Sequence, residues 1–296
     1  MEILSFYSAG NRINACLKKP LNWNEYDPLK PGIIVLAGFS GNTVADCSHM
    51  MASLSEAGWF VLGFDYQGFG ESEGPLHRHR PLEQVQNTYD AISFLETMPG
   101  VDPNRIGLYG SSFGGANAIW ATAHDERVKV LVASVSVTDG YRWAKSIRKP
   151  WEWNQFKDDI YTDAKRRVVE GTPKFCDVAE MMPRDPETIA QFQSHITSGQ
   201  VFQSTLRDLE SSEALLRFRP EWVVDKISPR PVLMIYADKD NRVPPEEQLN
   251  CFEKCKEPKK LVRLFGASHY DSYEFNHKNI SYIVKDETIK WFKNYL

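Results

Sequence analysis

Short apolar segments alternate with longer amphipathic segments along most of the 296-residue chain. The apolar segments, rich in Val, Ile, Leu and Phe, read "GIIVLAGF" (32–39), "WFVLGFDY" (59–66), "RIGLYG" (105–110), "VKVLVASVSV" (128–137), "PVLMIYA" (231–237) and "LVRLF" (261–265). Unbroken apolar runs of this length are typical of parallel strands that are buried on both faces. The alternation therefore predicts an α/β fold, with a mostly parallel central sheet and helices on both of its faces.

The first residues follow a different pattern. The segments "ILSFYS" and "RINACLKK" flank the turn residues Ala9, Gly10 and Asn11, which predicts an N-terminal antiparallel hairpin. In "PLEQVQNTYDAISFLETM" the apolar residues recur at steps of three and four. This spacing predicts an amphipathic helix that begins near Pro81, because proline suits the first helical turn.

Residues 138–230 interrupt the alternation of strands and helices. They separate two predicted strands, whereas a single crossover needs only about a dozen residues. Helical patterns within them cover residues near 153–170, 186–197 and 204–217. We therefore expect an α/β core made of residues 1–137 and 228–296, with residues 138–227 inserted as a helical cap.

The segment "GLYGSSFGG" (107–115) lies where a predicted strand runs directly into a predicted helix. It contains Gly-x-Ser-x-Gly, the pattern of a nucleophile elbow, in the strand-turn-helix context that such an elbow requires. Only Ser112 has glycines both two residues before and two residues after it, because the same count from Ser111 reaches Tyr109 and Phe113. We therefore predict that Ser112 is a nucleophile, placed at a helix N-terminus that favours developing negative charge.

A serine nucleophile needs a base and an acid that orients the base. His269 follows the last predicted strand, and both Asp238 and Asp240 follow the strand before it, in the chain order Ser, Asp, His. Both loops lie at the carboxyl ends of strands, where parallel sheets collect functional groups. Asp240 is favoured over Asp238 because the chain must first turn after the strand before a side chain can reach back over the sheet.

The same chemistry requires two backbone N–H groups to bind an oxyanion. We expect them from Phe113, which follows the nucleophile, and from Phe39 in the segment "LAGFSGN". Each of these signals is weak alone, since most such glycine turns, loop histidines and strand-end aspartates are structural. Their occurrence together, in order and at the right ends of the predicted elements, favours a Ser-His-Asp catalytic triad.

Composition narrows the class of protein further. With 35 Lys and Arg against 39 Asp and Glu, the net charge is only −4, which argues against nucleic acid or an anionic membrane surface as a partner. The N-terminus lacks the apolar run of a signal peptide, and no segment is apolar enough to span a bilayer. Five scattered cysteines suggest reduced thiols. We therefore expect a soluble, cytoplasmic protein.

The motifs resemble those of the α/β-hydrolase superfamily, in particular its dienelactone-hydrolase-like branch, which includes YcjY-type hydrolases and fungal polyketide transferases. The segments that carry the resemblance are "FYSAGNRINACL", "AGFSGN", "FDYQGFGESEG", "GVDPNRIGLYGSSFGG", "MIYADKDNRVPPEEQ" and "GASHYDSYE". The resemblance implies the α/β-hydrolase fold, and its strand-end pattern of a small residue, two residues and Asp falls on Ala237 and Asp240. Two positions depart from the family pattern: Ala37 stands in place of a histidine, and Gln67 in place of an arginine.

A serine at the elbow points to an acyl-enzyme intermediate, without a metal or organic cofactor. We therefore expect a serine hydrolase that cleaves a small-molecule carboxylic ester, thioester or lactone. The resemblance to polyketide transferases gives an alternative, an acyltransferase of a biosynthetic pathway with the same triad. A non-catalytic ligand-binding protein with a hydrolase fold is the least favoured reading.

The sequence offers several candidates for contact with a substrate. Tyr66 and Trp143 are candidates for contact with a small-molecule acyl substrate, and Arg142 or Arg148 for binding a carboxylate. Packing of the aromatic side chains within the fold is an equally good interpretation. Whether the chain forms a homodimer also stays open.

Overall fold

The computed structural model describes residues 1–39, 41–43, 47–190, 205–273 and 278–296. The strands in these ranges are β1 (Glu2–Ser8), β2 (Asn11–Lys18), β3 (Lys30–Leu36), β4 (Phe60–Phe64), β5 (Val101–Ser111), β6 (Val128–Ser134), β7 (Phe175–Asp177), β8 (Leu206–Asp208), β9 (Val232–Ala237) and β10 (Lys259–Leu264). The helices are α1 (Ser48–Glu56), α2 (Pro81–Glu96), α3 (Phe113–His124), α4 (Gly140–Ser146), α5 (Pro150–Glu170), α6 (Val178–Met181), α7 (Leu209–Arg217), α8 (Pro245–Lys254) and α9 (Lys278–Tyr295).

Eight of the described strands form one sheet in the order β1-β2-β4-β3-β5-β6-β9-β10. β1 and β2 pair antiparallel in a hairpin, and β2 pairs antiparallel with β4. All the remaining neighbours in this sheet run parallel. The predicted α/β-hydrolase fold, a mostly parallel sheet preceded by an antiparallel hairpin, is therefore confirmed.

The central strands are buried on both faces, as their apolar sequences predict. In β3 the consecutive residues Ile33, Ile34, Val35 and Leu36 all have zero exposure, although successive side chains point to opposite faces of a sheet. One face is covered in part by Met51 of α1 and Phe292 of α9, which belong to the same apolar cluster as Ile33 and Val35.

The chain divides into two compact units. The first comprises Met1–Gly74, Leu82–Thr138 and Pro220–Leu296, and it contains the eight-stranded sheet. The second comprises Pro75–Pro81 and Asp139–Arg219, and its described residues include the long helix α5 and the short antiparallel pair β7 and β8. That residues 138–227 act as a cap stays a prediction.

One predicted helix of the second unit begins later than expected. The helix expected over 204–217 begins only at Leu209, and β8 precedes it. Asp208 explains this boundary, because its carboxylate accepts a hydrogen bond from the Ser211 N–H (2.8 Å) and so caps the helix N-terminus. The helix expected over 186–197 lies mostly outside the described residues.

Two further features concern the helices and the cysteines. Among the described residues, no helix combines the length and the apolar character needed to cross a membrane. The cysteines at positions 16, 47, 176, 251 and 255 are all free and buried, and burial raises the pKa of the Cys251 thiol.

Within the second unit, Arg80 forms a buried fork with the carboxylate of Asp208. Its two terminal nitrogens donate to the two carboxylate oxygens at 2.7 and 3.1 Å, and the side chains are 10% and 8% exposed. We expect Arg80→Ala to lower the free energy of unfolding by about 3–5 kcal/mol, because it leaves a buried carboxylate without its cation.

Chemical denaturation followed by tryptophan fluorescence measures this change. Arg217→Ala is the matched control, because Arg217 also pairs with a carboxylate, that of Glu213, but is 76% exposed. It should cost less than about 1 kcal/mol. Equal losses for the two variants would contradict the role given to the Arg80 pair.

Candidate active site

Ser112 occupies the junction between strand β5 and helix α3. Its backbone has φ 55° and ψ −122°, in the left-handed half of conformational space that residues other than glycine rarely enter. Its N–H donates to the Ser134 carbonyl at the end of β6 (2.9 Å). This is the strained strand-to-helix turn that presents a side chain at the top of a parallel sheet.

The glycines at positions 110 and 114 make this turn sterically possible. A Cβ atom on Gly110 would overlap the carbonyl oxygen of Gly114, and one on Gly114 would overlap the carbonyl oxygens of Leu36 and Ala37. These obstacles are backbone atoms, which cannot rotate away as a flexible side chain would. Gly110 and Gly114, whose spacing identified Ser112 in the sequence, thus have no room for a side chain in the structure.

The two adjacent serines have different environments. Ser111 is 2% exposed, and its hydroxyl donates a hydrogen bond to the hydroxyl of Tyr273. Ser112 remains partly exposed. Accessibility therefore agrees with the glycine spacing in favouring Ser112 as the reactive hydroxyl.

His269 and Asp240 form a buried hydrogen-bonded pair. The imidazole Nδ1 lies 2.7 Å from Asp240 Oδ2, and the residues are 4% and 3% exposed. The other carboxylate oxygen, Oδ1, accepts the backbone N–H groups of Arg242 (2.8 Å) and Val243 (2.7 Å). Both oxygens of the carboxylate are thus held, which fixes the orientation of the imidazole.

Asp238, the alternative acid, has other partners. Its Oδ2 accepts from Arg263 Nη2 (2.7 Å) and its Oδ1 accepts from the Gly266 N–H (2.6 Å). The hydrogen bond with Arg263 lowers the pKa of this carboxyl. Asp238 therefore holds the β9 and β10 loops together, while Asp240 contacts the histidine.

No hydrogen bond joins Ser112 to His269 among the described residues. The two are connected indirectly, because Ser111 is bonded to Tyr273 and the Tyr273 ring lies 5.9 Å from the imidazole, centroid to centroid. Direct transfer of a proton from Ser112 to His269 therefore belongs to the proposed mechanism.

The two residues expected to form the oxyanion hole lie beside the elbow. A Cβ on Gly38 would come within 3.3 Å of the Ser112 Cβ, so the backbone before Phe39 passes close to the candidate nucleophile. The Phe39 and Phe113 rings pack edge to face with centroids 6.0 Å apart. Phe113 directly follows Ser112 and is the first residue of α3.

Tyr66 and Trp143, the candidate substrate contacts, are both buried, at 0% and 1% exposure. The Tyr66 hydroxyl accepts a hydrogen bond from Asn117 Nδ2 (3.1 Å), and burial raises the pKa of its phenol well above the ordinary value. Trp143 lies in α4. Contact of either side chain with a substrate stays a prediction.

Arg148, considered above as a partner for a substrate carboxylate, already has several acceptors. Its guanidinium donates to the carbonyls of Ala144, Glu180 and Met181 and lies over the Phe156 ring at 3.7 Å. Burial lowers its pKa to about 10. These contacts give Arg148 a structural role within the second unit.

Gln67, which stands where the resembled family has arginine, is held by helix α2. Its side-chain nitrogen donates to Glu83 Oε2 (2.8 Å), and its backbone N–H donates to Asn87 Oδ1 (3.0 Å). The neutral amide of Gln67 therefore donates to the Glu83 carboxylate at this position. Within the described residues, no cluster of three His, Cys, Asp or Glu side chains is arranged to hold a metal ion.

The fold and this arrangement at the carboxyl ends of the strands define the class of protein. The model of the α/β hydrolase fold family matches residues 31–275, and the chain therefore belongs to that family.

Three relatives are similar over most of the chain. An uncharacterized 31.7 kDa protein of the traX-finO intergenic region of Escherichia coli is 29% identical over 90% of this chain and 91% of its own length. Thiohydrolase aneE of Aspergillus aculeatus is 24% identical over 81% of this chain and 79% of its own. Polyketide transferase grgF of a Penicillium species is 27% identical over 81% of both chains. The crystal structure of α/β hydrolase GrgF superimposes with a TM-score of 0.80 over 99% of this chain and 98% of that one, at 23% identity.

The crowding around Gly114 also bears on the stability of the fold. We expect Gly114→Ala to lower the free energy of unfolding by about 3 kcal/mol, because the added methyl group meets the backbone of β3. Gly171→Ala is the matched control, since Gly171 has φ 79° but nothing within 4 Å of the added Cβ, and should cost about 1 kcal/mol. Chemical denaturation of both variants measures the two losses in the free energy of unfolding. A loss for Gly114→Ala no larger than that for Gly171→Ala would contradict this steric explanation.

Proposed function

We propose that this protein is a serine hydrolase that cleaves a carboxylic ester, thioester or lactone through an acyl-enzyme on Ser112. The buried 2.7 Å hydrogen bond between His269 and Asp240 is the observation that carries this proposal. It lies on the loops after β9 and β10, and Ser112 lies at the end of β5 in the same sheet. Parallel sheets collect their catalytic groups at these ends.

In the first step, Ser112 Oγ attacks the substrate carbonyl carbon. With the Nδ1 proton donated to Asp240, His269 Nε2 is the acceptor for the serine proton. The negative charge of the Asp240 carboxylate stabilises the imidazolium that forms. The carbonyl π electrons move to the oxygen, which becomes an oxyanion.

The N–H groups of Phe39 and Phe113 are proposed to bind that oxyanion. The closeness of the Gly38 backbone to Ser112 and the position of Phe113 at the start of α3 support this assignment. Loss of one such donor in other enzymes costs about 10²–10³-fold in kcat. Backbone donors also need no reorganisation during the reaction, since the fold has already fixed them.

Collapse of the tetrahedral intermediate breaks the bond between the acyl carbon and the leaving oxygen or sulfur. The leaving group takes the proton from His269 Nε2, and the acyl group remains on Ser112. Water then attacks the acyl carbon and passes a proton to Nε2, which returns it to Ser112 Oγ as the carboxylic acid leaves. No metal or organic cofactor takes part in either half of this reaction.

Acyl transfer is a second candidate function, and the name of one of the three relatives, polyketide transferase grgF, favours it. Thiohydrolase aneE and polyketide transferase grgF suggest reactions that differ in the acceptor of an acyl group, water in one and another nucleophile in the other. Hydrolysis and acyl transfer can both proceed from the same acyl-enzyme. Product analysis with a thioester substrate, with and without added alcohols or amines, separates them, since only a transferase forms the new ester or amide as its main product.

The nucleophile can be identified with a fluorophosphonate probe, which reacts with activated serines. We expect the unmodified protein to be labelled to one equivalent and Ser112→Ala to be unlabelled. Ser111→Ala is the matched control, one residue away, and should still reach full labelling. Absence of labelling in the unmodified protein would contradict the catalytic proposal and favour a ligand-binding role.

The two aspartates give a second test of the mechanism. We expect Asp240→Asn to lower kcat for a reactive ester by roughly 10⁴-fold, because the imidazole would no longer be held in the required tautomer. Asp238→Asn removes the same charge from the neighbouring loop position but changes only a partly exposed ion pair, so kcat should fall less than about fivefold. Steady-state kinetics measures both, and similar losses would contradict the assignment of Asp240.

A further inference from the structure

The hydrogen bond between the Ser111 and Tyr273 hydroxyls joins two loops that are distant in sequence. Ser111 is the last residue of β5 and directly precedes the candidate nucleophile. Tyr273 lies 162 residues later and directly follows the short helical turn Tyr270–Ser272 after His269. The bond therefore connects the loop of the nucleophile to the loop of the base.

The segment from His269 to Tyr273 is held as one compact turn. The Ser272 hydroxyl donates to the His269 carbonyl (2.7 Å), and the Tyr273 N–H donates to the Tyr270 carbonyl (3.1 Å). The Tyr273 ring also lies beside the imidazole, with centroids 5.9 Å apart. Fixing the Tyr273 hydroxyl thus restrains the position of the whole turn, including His269.

The contact with Asp240 orients His269 from the loop after β9 only. The hydrogen bond to Nδ1 sets the tautomer of the imidazole and joins His269 to the loop after β9, but it makes no contact with β5. Ser111 is a suitable anchor on β5 for the loop that carries His269, because it is 2% exposed and sits on a strand hydrogen-bonded on both sides, to β3 and β6.

We propose that Tyr273 is a positioning residue for the reaction described above. Its hydroxyl, held by Ser111, keeps His269 Nε2 within reach of Ser112 Oγ. The inference rests on the proposed function, and it assigns a role to Ser111, the adjacent serine that the glycine spacing did not select as the nucleophile. Proton transfer depends steeply on the distance between donor and acceptor, so loss of this restraint should lower kcat with little change in KM.

A double-mutant cycle tests the proposal. The variants are Ser111→Ala, Tyr273→Phe and the combination of both, and kcat and KM are measured with a reactive ester. Each value is expressed per active site, as counted by fluorophosphonate titration, so that misfolded protein does not enter the comparison. Tyr282→Phe is a control for the loss of a tyrosine hydroxyl, because Tyr282 lies on α9 and is 58% exposed.

We expect each single variant to lower kcat by about fivefold or more, the worth of one hydrogen bond, with KM changed less than about twofold. The double variant should be no slower than the slower single variant, because both changes break the same bond. Tyr282→Phe should be unchanged.

Two results would overturn the proposal while leaving the hydrolase function standing. One is a kcat of Tyr273→Phe, expressed per active site, that equals the kcat of the unmodified protein. The other is losses that multiply in the double variant, which would show that the hydroxyls act separately. If the unmodified protein neither reacts with the probe nor hydrolyses any ester, the proposed function fails, and the positioning role fails with it.

Discussion

The steric constraint at the turn between β5 and α3 determines how the rest of the candidate site is built. Gly110 and Gly114 have no room for a side chain, and Ser112 between them is held at a positive φ. Such a backbone persists only where the surrounding structure compels it. Here the parallel sheet holds the Ser112 backbone in this conformation, because β3 lies against Gly114 and the end of β6 accepts the Ser112 N–H. The unbroken apolar strands that build the core thus also create the geometry of the proposed nucleophile.

In the loops after β9 and β10, one aspartate has structural contacts and another contacts the proposed catalytic base. Asp238 joins the two loops through Arg263 and the Gly266 N–H, whereas Asp240 is turned inward to His269. Two carboxylates separated by one residue therefore have unrelated tasks. The backbone N–H groups that hold Asp240 Oδ1 come from the same loop, so the orientation of the imidazole is fixed mainly by short-range contacts within a well-packed part of the fold.

The sheet was predictable from the sequence because buried parallel strands leave a strong local signal, as "GIIVLAGF" and "PVLMIYA" do. Ser112 was predictable for a similar reason, since the glycines that the turn requires are its neighbours in sequence. The strand β8 before Leu209 was missed because its pairing with β7 depends on residues about 30 positions apart, which no local pattern records, although Asp208 is a local N-cap signal for the helix start. The link from Ser111 to Tyr273 was missed for the same reason: hydroxyl side chains have many uses, and only the folded chain shows that these two meet.

The central claim is that an acyl group is transferred to Ser112, and mass spectrometry after acid quenching tests it most directly. The protein is mixed with a reactive ester, quenched within the first turnovers and digested with trypsin, and the peptide that spans residues 106–127 is fragmented to locate any added mass. The account predicts the acyl mass on Ser112 and none on Ser111. An acyl group on Ser111, or turnover of the ester with no adduct on this peptide under any quench time, would contradict it.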